Sequence, residues 1–155
     1  MVQRQSTWPA RRDQRLFVAR APVIHRTVIK PVGVLFTITD AMYNEPLSFD
    51  VIPGKTAETR VFQVHGPITM SNLFDFQKAL IGGTEKVTIV DLTDSPYMDS
   101  AGLGVLLNYY VSGKRHGRHL RLVAVNFRIA ALLELTHANS LIKKYDSVAA
   151  AEADA

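Results

Sequence analysis

The 155-residue sequence contains no cysteine, which excludes a disulfide framework, a catalytic thiolate and a cysteine-ligated metal site. This absence fits a reducing compartment, and we expect a cytoplasmic protein. No segment approaches the roughly 18 consecutive apolar residues that a membrane span needs. The N-terminus also lacks the continuous apolar core of a secretory signal. We therefore expect no insertion into a membrane.

The sequence also lacks the motifs that bind nucleotides. There is no G-K-[ST] sequence, so a P-loop is excluded. Gly102-Leu103-Gly104 could open a G-x-G-x-x-G fingerprint, but Leu107 stands where the third glycine belongs. These glycines also lie well beyond Leu92, the end of the preceding apolar run, whereas the fingerprint follows its strand almost at once. We expect no cofactor.

The positive charge is unevenly distributed. The formal net charge is +4, but residues 1–41 hold seven basic and two acidic residues, which gives +5. Residues 42–155 hold the other 11 basic and 12 acidic residues, which gives −1. The second part therefore lacks the basic surface that direct nucleic-acid binding requires. We expect residues 1–41 to form a basic, poorly ordered extension with one strand pattern at 33–39; a basic arm for nucleic acid or anionic lipid is the alternative.

Residues 42–155 alternate between strand and helix patterns, which predicts an α/β domain. The first two predicted strands can pair as a hairpin, and the third is apolar at nearly every position, as expected for a strand covered on both faces. We predict a mixed sheet of about four to five strands with about four helices. Strands are predicted at 47–52, 59–66, 86–92 and 119–125, with a short fifth strand within 140–147. Helices are predicted at 71–83, 99–113, 128–137 and 147–153. Ser71 and Ser147 are the expected N-caps of the first and last of these helices.

The stretch YMDSAGLGVLLNYY, residues 97–110, follows the buried strand and raises several chemical alternatives. As a nucleophile, Ser100 would need a base and an oxyanion hole, yet it lies outside a G-x-S-x-G motif and no histidine spacing pairs with it. Asp91, Asp94 and Asp99 could hold a hard cation, although such acids more often cap turns and helices. We expect neither catalysis nor a metal. The plainest alternative is that Asp99 and Ser100 only begin a helix.

Another alternative is that Ser100 is modified by a second protein. A phosphate would add about −1.5 to −2 charge beside Asp99 and change the surface more than the fold. Gly102 and Gly104 would leave the backbone bare for a partner to approach closely. The helix is predicted to bury Leu103, Leu106, Leu107 and Tyr110 and to expose Ala101, Val105, Asn108 and Ser112.

The segment VTIVDLTDSPYMDSAGLGVLL resembles the STAS domain of bacterial anti-sigma-factor antagonists. The resemblance extends over about residues 47–150, through TRVFQVHGPIT near its start and LLELT and YDSVAAA near its end. It implies the STAS fold and a partner-switching function without catalysis by the domain itself. In this family the antagonist binds an anti-sigma factor that is also a serine kinase. The kinase phosphorylates the serine after the Asp, the antagonist is released, and a serine phosphatase resets it.

Carried over to this sequence, the resemblance implies Ser100 as the phosphoacceptor. It implies a partner contact at Thr69, Tyr97, Met98, Asp99, Ala101, Gly102, Leu103, Gly104 and Val105. Two positions depart from the family pattern: Thr69 replaces the acid of a Gly-x-Leu-Asp turn, and His137 stands where glycine is common. The resemblance also leaves open a STAS scaffold that does not switch, in a stress-signalling complex or a lipid-transport ABC system.

Overall fold

The computed structural model describes residues 46–154. The predicted extension at 1–41 and its strand pattern at 33–39 lie outside that range. Within it, no helix has the length and apolar character needed to cross a membrane. The strands are β1 (Ser48–Pro53), β2 (Thr59–His65), β3 (Val87–Asp94), β4 (His119–Val123) and β5 (Lys143–Tyr145). The helices are α1 (Phe74–Ile81), α2 (Ser100–Lys114), α3 (Phe127–Leu135) and α4 (Val148–Ala153), with a 3-10 turn at Ala138–Ser140.

The five strands form one sheet in the order β1-β2-β3-β4-β5. β1 and β2 pair antiparallel as a hairpin, while the remaining neighbours pair in parallel. α1, α2 and α3 make the three crossovers between successive parallel strands. The prediction of an α/β fold with a mixed sheet is confirmed. The carboxyl ends of β2, β3 and β4 share one edge of the sheet, and β3 leads there into Ser100.

The sheet is covered on both faces, as the apolar third strand predicts. α1, α2 and α3 pack on one face and α4 packs on the other. Alternating residues of each strand point to the two sides, because successive side chains in a strand alternate. The larger cluster includes Phe62, Val64, Val90, Leu92, Leu120 and Leu122 with Phe76, Leu106 and Ile129. The smaller cluster is Val61, Ile89, Val123 and Ala151.

Polar side chains cap three of the helices. Asn126 Oδ1 accepts the N–H groups of Arg128 and Ile129 at the start of α3, and Asp99 begins α2 in the same way. Ser147 caps α4 by accepting the N–H of Ala150, so that prediction is confirmed. These bonds satisfy backbone donors that a first helical turn leaves unpaired.

The prediction of Ser71 as the N-cap of α1 is wrong. The helix begins three residues later at Phe74, and Leu73 stands at its N-cap without a side-chain bond. The Ser71 hydroxyl instead lies 2.9 Å from the Thr69 hydroxyl. Asn72 Oδ1 accepts the Thr69 N–H at 2.9 Å. The polar residues before α1 therefore stabilise a turn ahead of the helix.

The exposed half of β1 and the ends of β4 and α3 show where the elements leave the core or stop early. Val51 of β1 is 49% exposed, because only the first half of this edge strand packs on the core. β4 ends at Val123, where Ala124 takes a positive φ of 54° and interrupts the extended backbone. α3 ends at Leu135, two residues before its predicted end, and this last side chain is exposed.

Arg60 of β2 is a buried cation that the sequence patterns did not reveal. Its guanidinium donates to the carbonyls of Ala79 and Leu80 at the end of α1, at 3.2 and 2.5 Å. It also donates to the Thr88 hydroxyl at 3.0 Å, and Glu85 Oε2 lies 3.3 Å away. The negative end of a helix dipole and an acidic side chain both stabilise such a charge. Arg60 therefore joins α1 to the sheet.

A second polar cluster fastens α4 to the sheet. Arg121 of β4 donates to the Ala151 carbonyl at 2.6 Å. Asp154 accepts from Lys143 Nζ at 2.7 Å and from the Tyr145 hydroxyl. The hydrogen bonds from Lys143 and Tyr145 lower the pKa of Asp154, and the bond to Asp154 raises the pKa of Lys143. This cluster lies on the α4 side of the sheet, on the face opposite the helix that begins at Ser100.

Candidate functional site

Ser100 is the first residue of α2 and its side chain is exposed. It follows β3 after a short turn, Ser95–Asp99, so it lies at the carboxyl edge of the parallel strands. Ligand and partner sites in α/β sheets commonly occupy this edge. The position leaves the hydroxyl accessible to another protein without any unfolding of the domain.

Asp99 is the N-cap of α2, as the sequence predicts. Its backbone is extended, with φ −92° and ψ 178°, and its Oδ1 accepts the Gly102 N–H at 2.9 Å. The second oxygen, Oδ2, accepts the N–H of Met70 at 2.8 Å. Met70 belongs to the loop between β2 and α1 and precedes Asp99 by 29 residues. The carboxylate therefore connects two segments as well as starting the helix.

The two loops at this edge are also joined by backbone hydrogen bonds. The Ile68 N–H donates to the Tyr97 carbonyl and the Asp99 N–H donates to the Ile68 carbonyl, both at 3.0 Å. Together they form an isolated parallel bridge between Ile68 and Met98. Both side chains are buried, at 0% and 2% exposure, and belong to the larger core cluster. Ser100 is therefore presented from a well-packed base.

Gly102 and Gly104 have different structural roles. A Cβ on Gly102 would lie 2.8 Å from Ile68 Cγ2, 2.9 Å from the Ile68 carbonyl oxygen and 2.9 Å from Met98 Cγ. The close approach at Gly102 is therefore made by the protein's own chain. A Cβ on Gly104 would meet nothing within 4 Å, and this glycine is exposed. Of the two, only Gly104 leaves backbone bare at the surface.

The predicted contact residues separate into an exposed and a buried set. Ser100 and Gly104 are exposed, and Tyr97, Asp99 and Ala101 are partly exposed. The buried members are Thr69, Met98, Gly102, Leu103 and Val105. The assignment of Val105 to an exposed face is wrong, because it is 8% exposed and packs into the core.

The buried stripe of α2 is rotated relative to the predicted one. Tyr109 is 5% exposed, whereas Leu107 and Tyr110, which were predicted in the core, are only partly buried. The Tyr109 hydroxyl lies 2.8 Å from the Thr88 hydroxyl on β3. A buried tyrosine needs such a polar partner, and this one comes from a strand that the helical period alone does not identify.

Two large exposed apolar side chains between β2 and the first turn of α1 have no counterpart in the sequence predictions. Met70 and Phe74 are each 75% exposed. The Met70 backbone is bonded to Asp99, and Phe74 begins α1 one turn later. Leu73, Phe76 and Leu80 form the buried face of α1, and Phe74 lies outside that face. The helical spacing of these residues could have indicated that Phe74 is exposed. A protein that reaches Ser100 would meet the exposed Met70, whose backbone is bonded to the neighbouring Asp99.

The three acids at this edge are each engaged separately. Asp91 accepts from the backbone and hydroxyl of Thr93, at 3.0 and 2.6 Å, while Asp94 lies 3.1 Å from His65 Nδ1. Asp99 makes the two backbone bonds described above. Between residues 46 and 154, no group of three His, Asp or Glu side chains is placed to hold a metal ion.

The histidines with resolved partners do not point to Ser100 either. His65 faces Asp94 and, at 3.7 Å, Asp50. His116 lies 3.0 Å from the Ser112 carbonyl at the other end of α2. The contacts of both rings are thus with groups other than Ser100. His137 takes a left-handed backbone with φ 56°, a conformation that glycine adopts more readily.

The comparison with protein families decides the identity of the domain. The model of the STAS domain matches residues 52–151, which is more than half of the chain. The chain belongs to the STAS domain family. Two curated proteins named as anti-sigma factor antagonists, from Thermotoga neapolitana and Thermotoga maritima, are each 33% identical to it over 76 residues. Those matches span 49% of this chain and 66% of each relative, so slightly less than two thirds of the relatives is covered.

Solved STAS-type structures have the same fold. An anti-sigma factor antagonist from Mycobacterium paratuberculosis superposes with a TM-score of 0.62 at 18% identity, covering 69% of this chain and 92% of that one. The unphosphorylated antagonist SpoIIAA gives 0.58 at 15% identity, covering 68% and 95%. SpoIIAA of Bacillus in its phosphorylated form gives 0.55 at 15% identity, covering 68% and 98%. At these identities the likeness concerns the fold.

Proposed function

We propose that this STAS protein is an anti-sigma-factor antagonist that is switched by phosphorylation of Ser100. Unphosphorylated, it binds an anti-sigma factor with serine kinase activity in the cytoplasm and thereby frees a sigma factor for transcription. Phosphorylation releases it, and a serine phosphatase restores it. The observation that carries the proposal is the exposed Ser100 at the first position of α2, directly after its Asp99 cap, in the sequence Asp-Ser-Ala-Gly-Leu-Gly.

The surroundings of Ser100 suit a switch that acts on an interface. A phosphate would add about two negative charges next to the Asp99 carboxylate. The exposed Met70 is bonded through its backbone to Asp99, and desolvating a new charge beside apolar contacts is unfavourable. The described structure holds Ser100 on a base of buried side chains, so the added charge would change the surface while the fold persists. SpoIIAA, which has the same fold, has been solved with and without phosphate.

The burial pattern supports two different roles within the proposed contact. Tyr97, Asp99, Ala101 and Gly104 would touch the partner around Ser100. Thr69, Met98, Gly102, Leu103 and Val105 would act from beneath, because their side chains are buried and hold the loop and the helix start in place. Replacing a residue of the second set would therefore weaken binding through stability.

The test is binding of Ser100 variants to the kinase encoded nearest this gene, measured by calorimetry with the full chain. Ser100→Ala should bind as the unmodified protein does, because it keeps the neutral surface. Ser100→Asp should weaken binding by more than tenfold, about 1.4 kcal/mol. Ser112→Asp is the matched control, since it adds the same charge at an exposed serine of the same helix, away from its start.

The control should bind like the unmodified protein. Equal affinities for Ser100→Ala and Ser100→Asp, together with no transfer of phosphate from ATP to Ser100, would refute the switch. The same outcome would favour the STAS scaffold that does not switch. Equal weakening by Ser112→Asp would mean that net charge, and not the position of Ser100, controls the affinity.

A further inference from the structure

The Asp99 carboxylate is shared between the helix that begins at Ser100 and a distant loop. Its Oδ1 accepts the N–H of Gly102 at 2.9 Å, and its Oδ2 accepts the N–H of Met70 at 2.8 Å. A side chain that only capped α2 would need the first bond alone. Because of the second bond, a movement of this carboxylate would also affect the position of the loop that carries Met70.

That loop is a hydrogen-bonded turn with its own apolar surface. The N–H groups of Asn72 and Leu73 both donate to the Thr69 carbonyl at 3.0 Å. At its base, the Ile68 N–H is bonded to the Tyr97 carbonyl. At its tip, Met70 is 75% exposed, and its backbone N–H is bonded to Asp99. The base of the loop is thus tied by the backbone, and its tip is tied by one charged side chain.

A phosphate on Ser100 would act on that tie. It would place about two negative charges on the residue next to Asp99. Phosphate oxygens also accept strongly from the backbone N–H groups at a helix start, and one of these, the Gly102 N–H, now donates to Asp99. Repulsion and competition therefore both oppose the present position of the carboxylate.

We propose that Asp99 is a positioning residue that couples the phosphorylation of Ser100 to the loop that carries Met70. When Ser100 is phosphorylated, the Asp99 carboxylate leaves the Met70 N–H and the tip of the loop is released. The partner then meets a new charge and also a rearranged apolar surface. The inference rests on the proposed function for its biological setting, but the coupling itself is a property of this chain.

The experiment compares the full chain with and without phosphoserine installed at position 100 during synthesis, so it depends on no kinase. Backbone amide hydrogen exchange is followed by NMR. The Met70 amide should exchange at least about tenfold faster in the phosphorylated protein, since it loses its acceptor. The Gly82 amide, which donates to the Lys78 carbonyl at the far end of α1, is the internal control and should not change.

Asp99→Asn supplies the matched variant. Its amide has no charge to be repelled and only one oxygen, so phosphorylation should change Met70 exchange by less than about twofold. Unchanged Met70 exchange on phosphorylation of the unmutated chain would overturn the proposal, whether or not the variant folds. A tenfold change that persists in Asp99→Asn would also overturn it. Failure of any kinase to modify Ser100 would instead contradict the proposed function and leave this coupling result standing.

Discussion

The tight contact at Gly102 gives a sharp prediction for a pair of alanine substitutions. Gly102→Ala would place a methyl group 2.8 Å from Ile68 Cγ2 and 2.9 Å from the Ile68 carbonyl oxygen. That carbonyl accepts the Asp99 N–H, so it cannot move away without weakening the bridge between the two loops. Gly104→Ala places the same methyl group in open space two residues later on the same helix.

The expected magnitudes follow from two opposing effects. Alanine in place of glycine stabilises a helix by roughly 0.5–1 kcal/mol. Overpacking of a well-filled site costs about 1–3 kcal/mol. Gly104→Ala should therefore stabilise the protein by up to about 1 kcal/mol. Gly102→Ala should be less stable than Gly104→Ala by about 1–3 kcal/mol, because the helix term largely cancels between the two variants.

Urea unfolding followed by circular dichroism measures both free energies of unfolding, and an unchanged m-value would confirm that the comparison is valid. If Gly102→Ala stabilises the protein as much as Gly104→Ala does, the close packing of α2 against Ile68 is refuted. Such a result would return Gly102 to the surface role that the sequence suggested.

Two further predictions concern buried and charged hydrogen bonds. Tyr109→Phe should lower the free energy of unfolding by about 1–3 kcal/mol, because it removes a buried hydroxyl bonded to Thr88; urea unfolding measures it, and a neutral effect would contradict the contact. Asp154→Asn should be less stable than the unmutated chain near neutral pH, where the carboxylate accepts from Lys143. Since the folded-state pKa of Asp154 is lowered, its contribution is present above the unfolded pKa and is lost as the pH falls through the folded one. The two chains should converge in acid, and a constant difference across that range would contradict the assignment.

The fold was predictable because its signals are local and repeated. The nearly all-apolar β3 indicated a strand covered on both faces, and Asp99 and Ser147 are capping residues that lie where the helices start. The start of α1 was predicted three residues too early, because side chains such as Ser71 and Asn72 hydrogen-bond within a turn as readily as they cap a helix. Side chains that cap turns and helices are chemically alike, and only the tertiary contacts separate them.

The candidate site was predictable in its position but not in its construction. The sequence indicated that Asp99 and Ser100 follow the buried strand and begin a helix, and Ser100 is the first residue of α2. The bond from the Met70 N–H to Asp99 joins residues 29 positions apart, so the local periodicity of the sequence gives no sign of it. The approach of Ile68 to Gly102 is similarly long-range, so the glycine was interpreted as open surface. Arg60 was missed for the same reason, since its partners come from α1 and β3.

The most direct test of the central claim is to map phosphate on the full chain after incubation with the partner kinase and ATP. Peptide mass spectrometry should find phosphate on Ser100, and the Ser100→Ala chain should acquire none. The exposed Ser112 and Ser140 should remain unmodified in both. Phosphate on other residues with Ser100 unmodified, or equal labelling of the Ser100→Ala chain, would contradict the account.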